Sequence, residues 1–454
     1  MAIGSHAMLF FSNPFRNDAC MNSRSALAGL CLFVAATLPA NAEVAPSPTP
    51  PPAAVLTPGH PFDPAAATQA WLDTVPADKR AKSDAYFEGG YWLILWDYLV
   101  AAAIAIWFLN SRMSARLRDL AENLTRFKTL QVAFYGAVYV VLTYALAFPL
   151  TIYEQFFREH KYGLATQTFL PWFKEQMIVL GVNGVALAIV LMVLFAVFRR
   201  APRTWWMWGT GVAIFFFIIG AMVAPVFIAP LFNTYKPVTD ATIRDSILAL
   251  ARANEIPVDQ VYEFDASRQT TRVSANVSGL LGTTRISLND NLLKQCSLPE
   301  IRHVMGHEMG HYVLNHTMKL VAGFAIFAFI AFLLTRSLFD WAVRKWGARW
   351  DVHGIADPAG FPLLVLIFTT FGFLFTPITN SVSRITEREA DAFGLNTARE
   401  ADGFAQSALK LSSYRKLNPR PIEEIIFYDH PSGRARIRMA MDWKAAQLPC
   451  GDVR

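Results

Sequence analysis

Four stretches of this 454-residue chain, Leu130 to Tyr153, Met177 to Phe198, Trp205 to Tyr235 and Ala359 to Ser383, contain no Lys, Arg, Asp or Glu. Each meets the roughly 20 apolar residues that cross a bilayer core, whereas runs in soluble cores are nearer about 10 to 14. Two further spans complete the pattern. Tyr91 to Leu109 is interrupted only by Asp97, and Leu320 to Thr335 continues past Arg336 through Leu338 and Phe339. At 54% hydrophobic and 17% charged, the composition excludes an ordinary soluble enzyme. The expected fold is a multi-span α-helical membrane protein, and nothing in the chain points to nucleic acid as a partner.

The N-terminal stretch "MNSRSALAGLCLFVAATLPANAEV" carries one Arg, an apolar run from Ala26 to Leu38 and the small-residue pattern Ala40-Asn41-Ala42. This predicts a secretory signal peptide over residues 1–42, with an uncleaved first membrane helix as the alternative. A Pro-rich linker and pre-membrane segment follows over 43–89. Cys20, Cys31, Cys296 and Cys450 have no metal-like or disulfide spacing.

The remaining chain divides into four spans over 90–235, a polar part at 236–319, two spans over 320–383 and a second polar part at 384–454. The first polar part predicts a helix from Ala241 to Asn254. The β-rich runs "VYEF", "RVSANVSGL" and "RISL" follow, the last two joined through Gly282-Thr283-Thr284 as a small hairpin or sheet. Ser297-Leu298-Pro299-Glu300 is a capping box with Pro in the first turn, so a helix starts there.

That helix bears "HVMGHEMGHYVLNH", with four of the nine histidines. Residues four apart share a helix face about 6 Å apart along the axis, but a third at i+8 is about 12 Å away, so His303, His307 and His311 cannot share one ion. Only His307 and His311 have a carboxylate, Glu308, directly after the first His. This is the HExxH arrangement, in which two imidazoles bind Zn²⁺ and the Glu polarises the attacking water. His303 reads as a packed histidine, and so does His316, which at i+5 from His311 points off the face. A third ligand has candidates in His353 and in "SRITEREADAFG", where Glu387 and Asp391 share a helix face and Glu389 points elsewhere.

In motif order and spacing the chain resembles the type I CAAX prenyl endopeptidases, membrane zinc proteases of the gluzincin group. The likeness rests on "EHKYGLATQTFLPWFKEQ", "IAPLFNTYKPV", "RISLNDNLL", "GHEMGHYVLNH", "SRITEREADAF" and "DHPSGRARI", and spans most of residues 85 to 440. It implies one Zn²⁺ per chain, held by His307, His311 and Glu387. Glu308 is then the general base and acid, and Asp391 orients a ligand imidazole. It also points to His430 as the donor to the oxyanion and to Arg436 as a holder of a substrate carboxylate or carbonyl. The substrate strand departs from the family pattern. Ser274-Ala275-Asn276 has Ser at the usual Asn place and no aromatic following, which leaves backbone pairing intact but alters side-chain selection.

The function this implies is a zinc metalloendopeptidase whose catalytic domain is split around the last two spans. Its substrates would be membrane-associated peptides or proteins, lipid-modified ones included. The alternatives are a quality-control protease of the same zinc class and, outside enzymes, a transporter or inactive scaffold. The clear runs are nearly free of the charges a transporter pathway needs, Asp97 being the exception, and Glu308 is intact. Loops 111–129, 199–204 and 336–357 hold the basic excess, and with a secretory N-terminus this predicts a bacterial inner-membrane protein whose catalytic domain faces the periplasm.

Overall fold

The computed structural model describes residues 62–278, 284–411 and 414–448. The signal peptide and the Gly282-Thr283 link lie outside the described residues. Among the described residues, six helices are long and apolar enough to cross a membrane: Ala77–Asn110, Lys128–Tyr162, Phe169–Arg200, Trp205–Leu231, His316–Trp350 and Pro358–Ala398. They coincide with the six charge-poor runs, and the protein is an integral membrane protein.

α1 (Pro64–Asp73) is capped by Asp63, whose side chain accepts from the Ala65 N–H, and α2 (Ala77–Asn110) forms the first span. Residues 64–73 and 77–89, expected as linker, are therefore helical. α3 (Met113–Leu124) is an amphipathic helix between the first two spans. α4 (Lys128–Ile152) runs through a π-helical turn into α5 (Arg158–Tyr162), which Gly163 ends at a φ of 76°. α6 (Phe169–Arg200) and α7 (Trp205–Val223) follow. Aromatic residues of several spans, among them Tyr135, Phe195, Trp205, Phe332, Phe339 and Phe361, meet in one buried core. Val185, Phe215 and Ile326 stay exposed on the outer faces, as side chains facing lipid do.

A four-stranded sheet lies outside the spans. Its strands are β1 (Tyr235–Pro237), β2 (Val261–Phe264), β3 (Ala275–Ser278) and β4 (Arg285–Asn289), in the order β1-β2-β4-β3. β3 and β4 form the expected antiparallel pair, with Ala275 opposite Leu288. β2 runs parallel to β4, and β1, which the sequence pattern assigned to a span end, pairs antiparallel with β2. α8 (Ala241–Ala253) packs Ile247 and Ala251 into a core shared with Met305 and Met309.

α9 (Asp290–Gln295) leads into α10 (Leu298–Val313), which starts at the predicted capping box: the Ser297 N–H donates to Glu300 Oε2 at 2.7 Å. α11 (His316–Trp350) and α12 (Phe361–Ala398) are the last two spans. α12 does not stop at the membrane. It carries Glu387 and Asp391 on the same unbroken helix as the span, so the second polar part starts as an extension of it. α13 (Ala401–Leu411), α14 (Pro421–Phe427) and α15 (Gly433–Gln447) follow among the described residues. Trp71 and Leu72 of α1 are buried with Phe404, Leu409, Ile437 and Met441 of α13 and α15.

Candidate metal centre and active site

The site exists because α10 and α12 cross backbone to backbone. A Cβ on Gly394 would fall 2.9 Å from the His307 nitrogen, and one on Gly306 would fall 3.2 Å from Gly394 Cα. Glycine at this crossing brings the HExxH helix onto the face of α12 that holds Glu387 and Asp391.

Glu387 Oε2 lies 3.2 Å from His307 Nε2, 3.6 Å from His311 Nε2 and 3.0 Å from His430 Nε2. The two HExxH imidazoles approach Nε2 to Nε2 at 3.1 Å. The carboxylate oxygen is buried yet makes no hydrogen bond of acceptable geometry. These separations fit a tetrahedral zinc, whose ligand atoms, about 2.1 Å from the ion, sit about 3.4 Å apart. His307, His311 and Glu387 together form a group able to hold a metal ion. His353 is excluded, since it lies between α11 and α12 beside Asp351 and Asp357.

His307 Nδ1 donates to Asp391 Oδ1 at 2.8 Å, which leaves Nε2 to face the centre. Burial would lower the pKa of this imidazole, but the hydrogen bond to Asp391 and the negative charges of Asp391 and Glu387 outweigh that and push it up to about 10. Glu308, one residue on, has its carboxyl pushed up by burial, a shift that suits a proton acceptor.

Arg436 corrects an expectation. Its Nε donates to Asp391 Oδ2 at 2.9 Å and its Nη2 to Asp391 Oδ1 at 2.5 Å, with both side chains buried. Arg436 therefore neutralises Asp391 and supports His307 through it, rather than standing ready for a substrate carboxylate. Its guanidinium also lies over Phe404, which stacks on His303 at 3.9 Å. His303 is thus the packed histidine its position implied, and burial holds its pKa well below the usual value.

His316 departs from the expected geometry. α10 ends at Val313, and Asn315 takes a left-handed turn at a φ of 55°, so His316 starts the next helix and swings back. Its Nδ1 lies 2.8 Å from His311 Nδ1 and its Nε2 3.1 Å from Glu389 Oε2. Glu389, read as pointing elsewhere, closes this outer contact and also accepts from Lys319 at 2.6 Å.

His430 reaches the centre from the turn after α14. Arg384 donates to the Glu424 and Tyr428 carbonyls and Asn380 to the Ile426 carbonyl, which pins this turn to α12. Asp429, missed in the sequence, lies 3.1 Å from His430 Nδ1. Burial would raise its pKa, but the adjacent imidazole holds it below the usual carboxylate range. The adjacent Asp-His pair was the available signal. Ala275 and Asn276 lie on β3, an edge strand of the sheet that packs against α10, and the Ser274 N–H donates to Asn289 Oδ1 at 3.0 Å.

A helical membrane protein with an HExxH helix crossed by a carboxylate-bearing helix defines a membrane-embedded zinc metalloendopeptidase. Comparison with known proteins agrees. A family model described as Peptidase family M48 matches residues 237–444, and one described as CAAX prenyl protease N-terminal, five membrane helices, matches residues 65–234. Among the described residues, that second region holds four membrane-length helices. The uncharacterized metalloprotease YhfN of Bacillus subtilis is 30% identical over 341 residues, covering 74% of this chain and 80% of that protein. CAAX prenyl protease 1 of Saccharomyces cerevisiae is 28% identical over 322 residues, covering 65% of this chain and 68% of its own length. The crystal structure of S. mikatae Ste24p has the same fold, with a TM-score of 0.67 at 22% identity over 84% of this chain and 94% of that one. The chain belongs to peptidase family M48, and it is a zinc-dependent hydrolase of peptide bonds.

Proposed function

We propose that His307, His311 and Glu387 are the zinc ligands and that the two polar parts, 236–319 and 384–454, are halves of one catalytic unit. The observation that carries this is the convergence of three imidazole Nε2 atoms on the buried Glu387 Oε2. Bound there, zinc would act as a Lewis acid toward water and the scissile carbonyl. Glu308 takes the proton from the attacking water and returns it to the leaving amine. His430, oriented by Asp429, donates to the oxygen that becomes anionic, a contribution of about 3 kcal/mol for groups of this kind. Asp391 and Arg436 hold His307 in register. The substrate backbone pairs with the outer edge of β3 at Ser274, Ala275 and Asn276, as extended peptides do at exposed sheet edges.

The substrates are peptides close to the membrane surface, because α12 carries Glu387 on the extension of a span and α10 ends just before the span helix α11. C-terminally prenylated CAAX sequences are the first class to try, given what several relatives are named for. Ser274 and the lack of a following aromatic predict a side-chain preference of its own. We read the protein as lying in a bacterial inner membrane with its catalytic end in the periplasm. The basic excess falls on three segments at the opposite end, which carry Arg112, Arg116, Arg118, Arg126 and Lys128; Arg199, Arg200 and Arg203; and, on the end of α11, Arg336, Arg344, Lys345 and Arg349.

The test is a pair of substitutions. Glu308→Gln is expected to keep about one zinc per chain while hydrolysis falls by at least about 10², and His311→Ala to lose the zinc itself. A Glu308→Gln variant that still cleaves at the wild-type rate removes the proton-transfer role. For orientation, alkaline phosphatase fused after Arg454 should be active; an inactive fusion puts the catalytic end in the cytoplasm.

A further inference from the structure

His307 and His311 are backed in different ways. Behind His307 stands a carboxylate, Asp391, with a side chain that is 0% exposed. Behind His311 stands another imidazole. Its Nε2 faces His307 and Glu387, so its Nδ1 points outward, 2.8 Å from His316 Nδ1. Two ring nitrogens at that distance share one proton. If His311 gives its Nε2 lone pair to a metal as a neutral ring, its proton sits on Nδ1 and His316 Nδ1 must accept it. A neutral His316 then carries its own proton on Nε2, 3.1 Å from Glu389 Oε2, and Glu389 is held in turn by Lys319 Nζ at 2.6 Å. Every atom in the series finds a donor or acceptor under that one assignment. The series leads from the buried His316 out to Glu389 and Lys319, whose side chains are 43% and 49% exposed.

We propose that His316 and Glu389 form a two-step support that fixes the tautomer and ring orientation of His311 and so sets how tightly the centre holds zinc. The proposal rests on the reading of His311 as a ligand through Nε2. His316 is a positioning residue, acting only through His311. The general physics is that partners behind a ligating imidazole raise its basicity and lock its ring, and their removal costs about 10- to 100-fold in metal affinity.

The experiment is zinc affinity, measured on the full detergent-solubilised chain by competition with a chromophoric chelator, alongside the melting temperature of the zinc-free protein. His316→Phe keeps the ring but removes the acceptor, and is expected to loosen zinc by about 10- to 100-fold. His316→Asn can place an amide oxygen near the lost Nδ1 and is expected to restore most of that affinity, a rescue that a merely structural role would not produce. Glu389→Ala, at an exposed side chain, is expected to loosen zinc by a smaller factor without changing the melting temperature of the zinc-free protein, and it carries the test if the Phe variant does not fold. Wild-type zinc affinity in His316→Phe, or equal affinities in the Phe and Asn variants, overturns the proposal, as does unchanged affinity in Glu389→Ala. Retention of zinc by His311→Ala would instead overturn the ligand reading beneath it, so the two failures are distinct.

Discussion

The two ends of the last membrane helix each gather histidine, aspartate and arginine, and among the described residues only one of them brings together a group able to hold a metal ion. At the end before α12, Arg118 Nη1 sits 2.9 Å from Asp357 Oδ2, and its Nη2 sits 2.8 Å from Asp351 Oδ2. His353 flanks the same two carboxylates with a side chain that is 70% exposed. At the other end, Glu387 faces three imidazoles and Arg436 stands behind Asp391. The residue types are nearly the same, but the arginine has moved. In the first cluster the guanidinium fills the position a cation would take, and the result is a latch tying α3 to the loop before α12. In the second it lies one residue back from the centre, so the carboxylate it neutralises orients an imidazole and the position between ligands stays open to a metal.

The comparison can be broken most severely at Glu387. Glu387→Ala is expected to abolish both bound zinc and hydrolysis, read by metal analysis and peptide cleavage; full zinc occupancy would move the third ligand elsewhere. Gly394→Ala tests the crossing that makes the second cluster possible. The added methyl meets the His307 backbone, and overpacking of this kind costs about 1 to 3 kcal/mol. The expected outcome is a lower melting temperature with zinc loosened, whereas Ala at the exposed Gly211, which has open space around it, should change neither. Arg118→Met probes the first cluster. It leaves Asp357 without its strongest partner, a loss of about 2 kcal/mol in stability, with zinc content unchanged. His353→Ala should have the smallest effect, within about 0.5 kcal/mol; a loss of zinc there would erase the distinction between the two ends.

Much of this was legible in the chain. Charge-free runs marked the spans because lipid tolerates few ionic side chains, and the capping box placed the start of α10 because its two bonds are local. Helical spacing put His307 with His311 and Glu387 with Asp391 on common faces, while the choice of Glu387 as third ligand came from the resemblance to the family. What escaped depended on features without a periodic trace. The return of His316 hangs on the left-handed backbone of a single residue, Asn315. The pairing of Arg436 with Asp391 joins positions 45 residues apart, and one arginine among Arg434, Arg436 and Arg438 cannot be singled out until α15 is seen to dock. β1 is three residues long and follows directly on a span end, so hydrophobic runs blurred it. The helices at 64–73 and 77–89 were hidden in a polar stretch next to prolines.

The pairing of Asp391 with Arg436 also has a consequence in time. Asp391 leaves the ribosome well before its partner, and His430 and Arg436 are among the later parts to emerge. Until α15 arrives, Asp391 has His307 beside it but lacks the guanidinium that neutralises it, and burying a carboxylate without that partner is costly enough to keep the region open. The carboxylate that orients His307 is then not yet fixed by Arg436, and the turn carrying His430 has not yet been made. The HExxH helix is therefore synthesised ahead of the residues that complete its surroundings, and the expected consequence is that proteolysis starts only once α15 has packed against α1.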